Sequence, residues 1–311
     1  GARLMGRTHV TGASGYIGGA RVPALLEAGH DVRGMGRKPS SVADRPWRGD
    51  VELAEADVRD EDAVASALEG VDVAYYLIHS MGSGRHFEST DRRSALLFGR
   101  AAREASVSRI VYLGALHPNE PHLSAHLESR RETGEILTAS GVPTTTLQAG
   151  IAIGHGSASY EMMRQLTERL PVMVGPKWLM NRIQPIATHD LVHYLVGSAS
   201  MPEGVSRGFD VGGPDILTFK GMMQRYAEVA GRWRPPVLTI PVMTPWLASH
   251  WVGLISDANA DLAKPLVGSL SHEVVVKEHD IDEYVPLPDG GLTGFDDAVR
   301  RAIADAATMR G

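Results

Sequence analysis

Val10-Thr11-Gly12-Ala13-Ser14-Gly15-Tyr16-Ile17-Gly18-Gly19 joins a short apolar run at 7–10 to a helical pattern that continues to about residue 28. Each glycine of the G-x-x-G-x-x-G spacing has a physical use in a strand–turn–helix unit. Gly12 permits the tight turn, Gly15 lets backbone approach a pyrophosphate, and Gly18 lets the helix pack closely on the strand. The start of the helix adds unpaired amides and the positive end of its dipole. The segment therefore predicts a dinucleotide cradle.

Outward from that turn, apolar runs at 31–35, 51–53, 71–78, 109–113 and 144–148 alternate with helical patterns. Strands of this kind, separated by helix-length crossovers, predict a parallel sheet covered on both faces, the doubly wound α/β (Rossmann) fold. Residues 1–150 form the expected dinucleotide-binding core. Beyond Gly150 the rhythm loosens around Pro171, Pro176, Pro185, Pro214, Pro235 and Pro236. Residues 151–311 are the expected smaller substrate lobe, interleaved with the core and closing over the carboxyl ends of the strands.

Composition narrows the chemistry. The 311 residues are 43% hydrophobic and 22% charged with net charge −6, so neither disorder nor a fibre fits. The absence of cysteine excludes disulfides, thiolate metal sites and a Cys nucleophile. No block of like charges points to nucleic acid. No export signal opens the sequence, which gives a cytoplasmic expectation. The apolar segment 237–255 is interrupted by Pro241, Pro245 and His250, so it predicts a buried or interfacial segment ahead of a membrane span.

The end of the second strand reads Gly36-Arg37-Lys38-Pro39-Ser40, with no acid between Val32 and Ala43 to take a ribose 2′-hydroxyl. Arg37 and Lys38 could instead pair with a 2′-phosphate, so NADP(H) is expected over NAD(H). Asp57-Val58, after the third strand, could contact adenine, or Asp57 could cap a helix.

Thr-Gly-Ala-Ser-Gly-Tyr-Ile-Gly-Gly at 11–19, Tyr-Tyr-Leu-Ile-His-Ser-Met-Gly at 75–82, Arg-Ile-Val-Tyr-Leu-Gly at 109–114 and Gly-Phe-Asp-Asp-Ala-Val at 294–299 resemble atypical short-chain dehydrogenase/reductases of the NmrA-like group. The resemblance spans nearly the whole chain. It is nearest to bacterial NAD(P)-binding members that often carry a further C-terminal domain of unknown function. It implies cofactor contacts at Gly12, Ser14, Gly15, Tyr16 and Ile17, at Arg37, at Leu77, Ile78 and His79, and at Ala149, Gly150 and Ile151. A standard member has a Ser after the fifth strand and Tyr-x-x-x-Lys on the next helix. Here Leu113-Gly114-Ala115-Leu116 carries no hydroxyl, and His126-x-x-x-Arg130 replaces Tyr and Lys. Residues four apart share a helix face, so His126 and Arg130 could both reach the nicotinamide ribose. An ordinary His can donate a proton near neutrality, and Arg can clamp a ribose without serving as a base. His126 could equally just hydrogen-bond across a helix surface.

His79 and Ser80 lie in a Gly-rich loop after the fourth strand, where they could touch cofactor or substrate or simply cap a helix. His117 and His155 share that face. His189 and His193 are four apart but lack the Glu of H-E-x-x-H, so no metal is expected, and no G-x-S-x-G elbow marks a serine hydrolase. Segment 243–255, with Met162, Met163, Trp178 and Met180, could wall an apolar pocket or form plain core. The expectation is an NADPH-dependent reductase of a small apolar carbonyl, enone or quinone-like molecule, monomeric or homodimeric, with the proton drawn from His126, Ser80 or water. The alternatives are an NADP(H)-binding sensor or scaffold without turnover, and a redox-neutral enzyme that keeps its cofactor.

Overall fold

The computed structural model describes residues 6–13, 15–36, 42–78, 87–240 and 267–308. Their chain order is β1 (Arg7–Thr11), α1 (Tyr16–Glu27), β2 (Asp31–Gly36), β3 (Glu52–Glu55), α2 (Glu61–Leu68), β4 (Val73–Tyr76), α3 (Phe87–Glu104), β5 (Arg109–Ala115), α4 (Ala125–Thr138) and β6 (Thr144–Ala149). After β6 come α5 (Ala158–Arg169), α6 (Thr188–Gly197), the strand Arg207–Val211, α7 (Phe219–Val229) and the helix Phe295–Thr308.

Seven described strands make one parallel sheet in the order Arg207–Val211, β6, β5, β4, β1, β2, β3. The doubly wound expectation is met. β1 pairs with β2 on one side and β4 on the other, so the chain reverses its direction of winding at β1. A crevice opens at the carboxyl ends of those strands, where open α/β sheets bind ligands.

The sequence of β4, Val-Ala-Tyr-Tyr, is buried at every position, because both faces of a parallel sheet are covered. Tyr75 faces Val10, Val22, Leu25 and Leu195, contributed by β1, α1 and α6. Tyr76 faces Phe98, Tyr112 and Leu137 under α2, α3 and α4. A third cluster joins Leu116, Met162, Phe219, Tyr226 and Phe295, and packs α5, α7 and the helix Phe295–Thr308 together. Caps fix the helix starts. The Asp60 side chain accepts from the Ala63 amide, Ser124 from Leu127 and Thr218 from Gly221.

Residues 237–240 of the apolar segment form a strand paired in parallel with Met173–Pro176. The remainder, to residue 255, lies outside the described residues. Among the described residues no helix is long and apolar enough to cross a membrane.

Candidate active site

Gly12 leaves β1 with φ of +87°, the left-handed region that glycine enters without steric cost. Its amide donates to Met35 O at 3.1 Å, and its carbonyl accepts from the Gly15 amide at 2.9 Å. A Cβ on Gly18 would sit 2.2 Å from that same carbonyl oxygen, so only glycine lets α1 come down onto the turn. Among the described residues no side chain caps α1, and no acid stands in its first turn, so its leading amides are left open at the crevice with the positive dipole end. The donor set suits a pyrophosphate.

One cavity of about 390 Å³ begins at this turn. Gly12, Gly15, Tyr16, Ile17 and Gly18 form one end, Leu77 follows β4, and Ala149 ends β6 with Gly150 and Ile151 following it. His126 and Arg130 enter from α4, one turn apart, as their spacing predicts. The far wall is Leu113, Leu116, Met162, Leu270 and Val274, with Ser159 at the start of α5. Leu270, Val274 and Ser159 were not among the candidates drawn from the sequence. Ser159 lies soon after β6 in the chain, but nothing local in the sequence marks any of the three.

Tyr16 points away from the turn. Its hydroxyl lies 3.0 Å from Thr188 Oγ1, and a Cβ on Gly154 would fall 2.3 Å from that hydroxyl. Tyr16 thus ties the phosphate turn to the start of α6 and the loop after β6, and burial pushes its phenol pKa up.

Arg130 is buried and fixed. Its Nη2 donates to Leu113 O at 2.6 Å, while its own carbonyl accepts from the Tyr112 hydroxyl at 3.2 Å. The guanidinium therefore brings a permanent positive charge to the cavity wall, already engaged with a backbone carbonyl. His126 is partly buried beside it. Burial first, and the Arg130 charge second, push its imidazole down to about 3. At neutral pH His126 is an uncharged ring that can donate a hydrogen bond but has no extra proton to release.

Other sequence candidates lie elsewhere. Val58 is buried in the core under α2 and α3, as part of the cluster that Ile78 packs against. Asp57 holds Arg59, whose Nε donates to Oδ1 at 2.9 Å, in a cleft shared with Asp60, Ser89, Thr90 and Arg93. His117 and His155 lie outside the cavity lining, against Gln148 and Glu161 respectively. His189 Nε2 meets Thr293 Oγ1 at 2.7 Å and His193 Nε2 meets Pro286 O at 2.8 Å, and no metal-holding group of three or more ligands occurs among the described residues. Met162 lines the cavity, Met163 is core, Trp178 packs against that core, and Met180 is exposed. Ser14, Arg37, Lys38, His79, Ser80 and segment 243–255 lie outside the described residues.

A family model described as NAD(P)H-binding matches residues 12–170, more than half of the chain. A Mycobacterium tuberculosis protein named 3β-hydroxysteroid dehydrogenase/Δ5→4-isomerase is 25% identical over 291 residues, covering 79% of this chain and 77% of its own. The Citrobacter triphenylmethane reductase superposes with a TM-score of 0.74 at 17% identity, over 96% of this chain and 99% of that one. An NADPH-dependent quinone oxidoreductase of Escherichia coli, solved with NADPH, gives 0.74 at 19% identity, over 95% and 99%. The two structural likenesses are likenesses of fold.

Proposed function

The chain belongs to the NAD(P)H-binding family, the NmrA-like, atypical short-chain dehydrogenase/reductase group, and on that premise we propose that it is an NADPH-dependent reductase of a small apolar carbonyl, enone or quinone-like molecule. The observation that carries the reading is the single cavity leading from the glycine turn to an apolar wall, with His126 and Arg130 between. The cofactor preference is supported by Arg37 and Lys38 and by the lack of an acid after the second strand. Substrate recognition falls to residues 151–311, which supply Met162, Leu270 and Val274.

The leading amides of α1, those of Tyr16 and Ile17, would hold the pyrophosphate, with Gly12 and Gly15 shaping the turn and Leu77, Gly150 and Ile151 along the groove. The bound cofactor supplies a hydride. The apolar wall positions a planar acceptor and excludes water from its reacting face. A neutral His126 orients the acceptor oxygen by donating a hydrogen bond, and Arg130 sets a positive potential where negative charge develops. This arrangement suits acceptors whose reduced form is a resonance-stabilised oxyanion, which takes its proton afterwards from solvent. It suits a simple ketone less well, because an alkoxide needs a proton as it forms.

The test is NADPH consumption with quinones, enones and simple ketones. A quinone or enone is expected to turn over, with a rate nearly flat between about pH 6 and 8 because His126 does not titrate there. His126→Leu should lower kcat/KM by roughly 100-fold, the size of losing one positioned donor. A profile that follows an ordinary histidine would contradict the neutral-donor role. Product without net NADPH loss would indicate redox-neutral chemistry, and binding without any turnover would indicate a sensor.

A further inference from the structure

From Arg232 to Ser256 the sequence contains no Asp or Glu, while it contains Trp233, Trp246 and Trp251. The described start of this region is a two-stranded parallel sheet, Met173–Pro176 with Val237–Ile240. The period of two along each strand divides its faces. Met173 and Val237 turn inward to the cluster that includes Met162, Leu270 and Val274. Val174 and Leu238, register partners, turn outward together, and Val172 extends the same outward row. Leu238 is 58% exposed. Met180, in the short helix that follows Met173–Pro176, is exposed as well.

Trp233 is 73% exposed, the most exposed large apolar side chain among the described residues. Pro236 O accepts from the Met173 amide at 2.9 Å, which anchors the chain to the sheet. Three residues of chain place Trp233 within about 11 Å of that anchor. Arg232 and Arg234 flank it and Lys177 borders the sheet, all three exposed. Glu228 pairs with Arg234, so these four groups leave a net positive charge on the patch.

We propose that this face, Val172, Val174, Leu238 and Met180 with Trp233 and its flanking arginines, docks on the surface of a lipid bilayer that carries anionic headgroups. Aliphatic side chains enter the acyl boundary, a tryptophan sits at headgroup depth, and cations meet the negative surface. The charge selects this occupant, since the patch is cationic while the whole chain carries −6. Two four-residue strands cannot span a membrane, so the contact is peripheral. The reverse face of the same sheet backs the core around the cavity, so docking would bring that cavity close to lipid.

Flotation of the full chain with phosphatidylcholine vesicles, with and without about 30% phosphatidylglycerol, tests this docking. The chain should float with the anionic vesicles and be released by salt. Arg232→Glu should lower partitioning by about fivefold or more. Trp233→Ser combined with Leu238→Ser should lower it by about tenfold or more, with an unchanged circular dichroism spectrum because both side chains are exposed. Failure to float with either vesicle would overturn it, as would equal flotation of wild type and variants. So would variants that change the mass in light scattering without changing flotation, since the patch would then join copies of the chain. No outcome depends on NADPH turnover, so this inference can fail while the reductase reading holds.

Discussion

Gly18→Ala is expected to abolish dinucleotide binding. The added Cβ would lie 2.2 Å from Gly12 O, 2.9 Å from Gly12 C and 3.0 Å from the Ala13 Cα, all backbone atoms of the turn itself. None of them can swing aside as a side chain would, so either α1 moves off the turn or the turn opens. Both movements take the leading amides of α1 away from the place where phosphate would sit. Overpacking of this kind costs about 1–3 kcal/mol of stability, and loss of the amide cradle should lower NADPH affinity at least roughly 100-fold. Gly19→Ala is the control. There the nearest atom, Ala13 O, is 3.6 Å away, an ordinary contact, and the helix gains a better former. Calorimetric titration should find Gly19→Ala close to wild type and Gly18→Ala without heat of binding. Equal affinities would show that the turn is not the phosphate cradle.

Acidification is expected to destabilise the fold well above the carboxylate range. His9 is fully buried on β1, its Nε2 is 2.8 Å from Thr11 Oγ1, and its Nδ1 has no partner among the described residues. Burial, and then the Arg33 charge, push its pKa down to about 3. The unfolded chain takes up this proton near pH 6.5 while the folded chain refuses it, so the contribution is whole above 6.5 and is lost as pH falls from there toward 3. Between pH 7 and pH 5 the loss is about 2 kcal/mol for His9, a large part of an ordinary domain's stability. His126 acts in the same direction with a smaller share, because it faces a cavity that water can enter. His30 and His117, also lowered by burial, add to it. Asp210 is raised by burial and works the other way, since its protonation favours the folded form. Urea midpoints at the two pH values should differ clearly in wild type and much less in His9→Gln. Midpoints that do not move would mean that His9 titrates normally.

Much of the architecture is legible in local sequence. The glycine turn, the β1 start at Arg7 and the apolar run of β5 are short-range signals, and the strands stand where those runs do. The fourth strand is shorter than its apolar run at 71–78: the Val71 amide still closes the turn after α2 on Leu68 O, and at the other end Leu77 and Ile78 leave the strand to pack as core, the Leu77 amide making a last bond to Thr11 O at 3.2 Å. What sequence conceals is whatever depends on distant contacts. Tyr16 meets Thr188 across 172 positions, and the cavity's far wall comes from Leu270 and Val274. Arg21, which polarity alone would place outside, is fully buried with its guanidinium 3.4 Å from the centre of the Tyr75 ring. The spacing of His126 and Arg130 was readable, but the neutrality of His126 was not, since it follows from how α4 packs over β5.

Whether this cavity takes NADPH is decided by calorimetric titration of NADPH, NADP and NADH into wild type and Arg37→Ala. NADPH should bind well ahead of NADH, and Arg37→Ala should remove about tenfold or more of the NADPH affinity while leaving NADH unchanged. Absence of binding by every dinucleotide would contradict the NADPH reading and leave the fold without its cofactor.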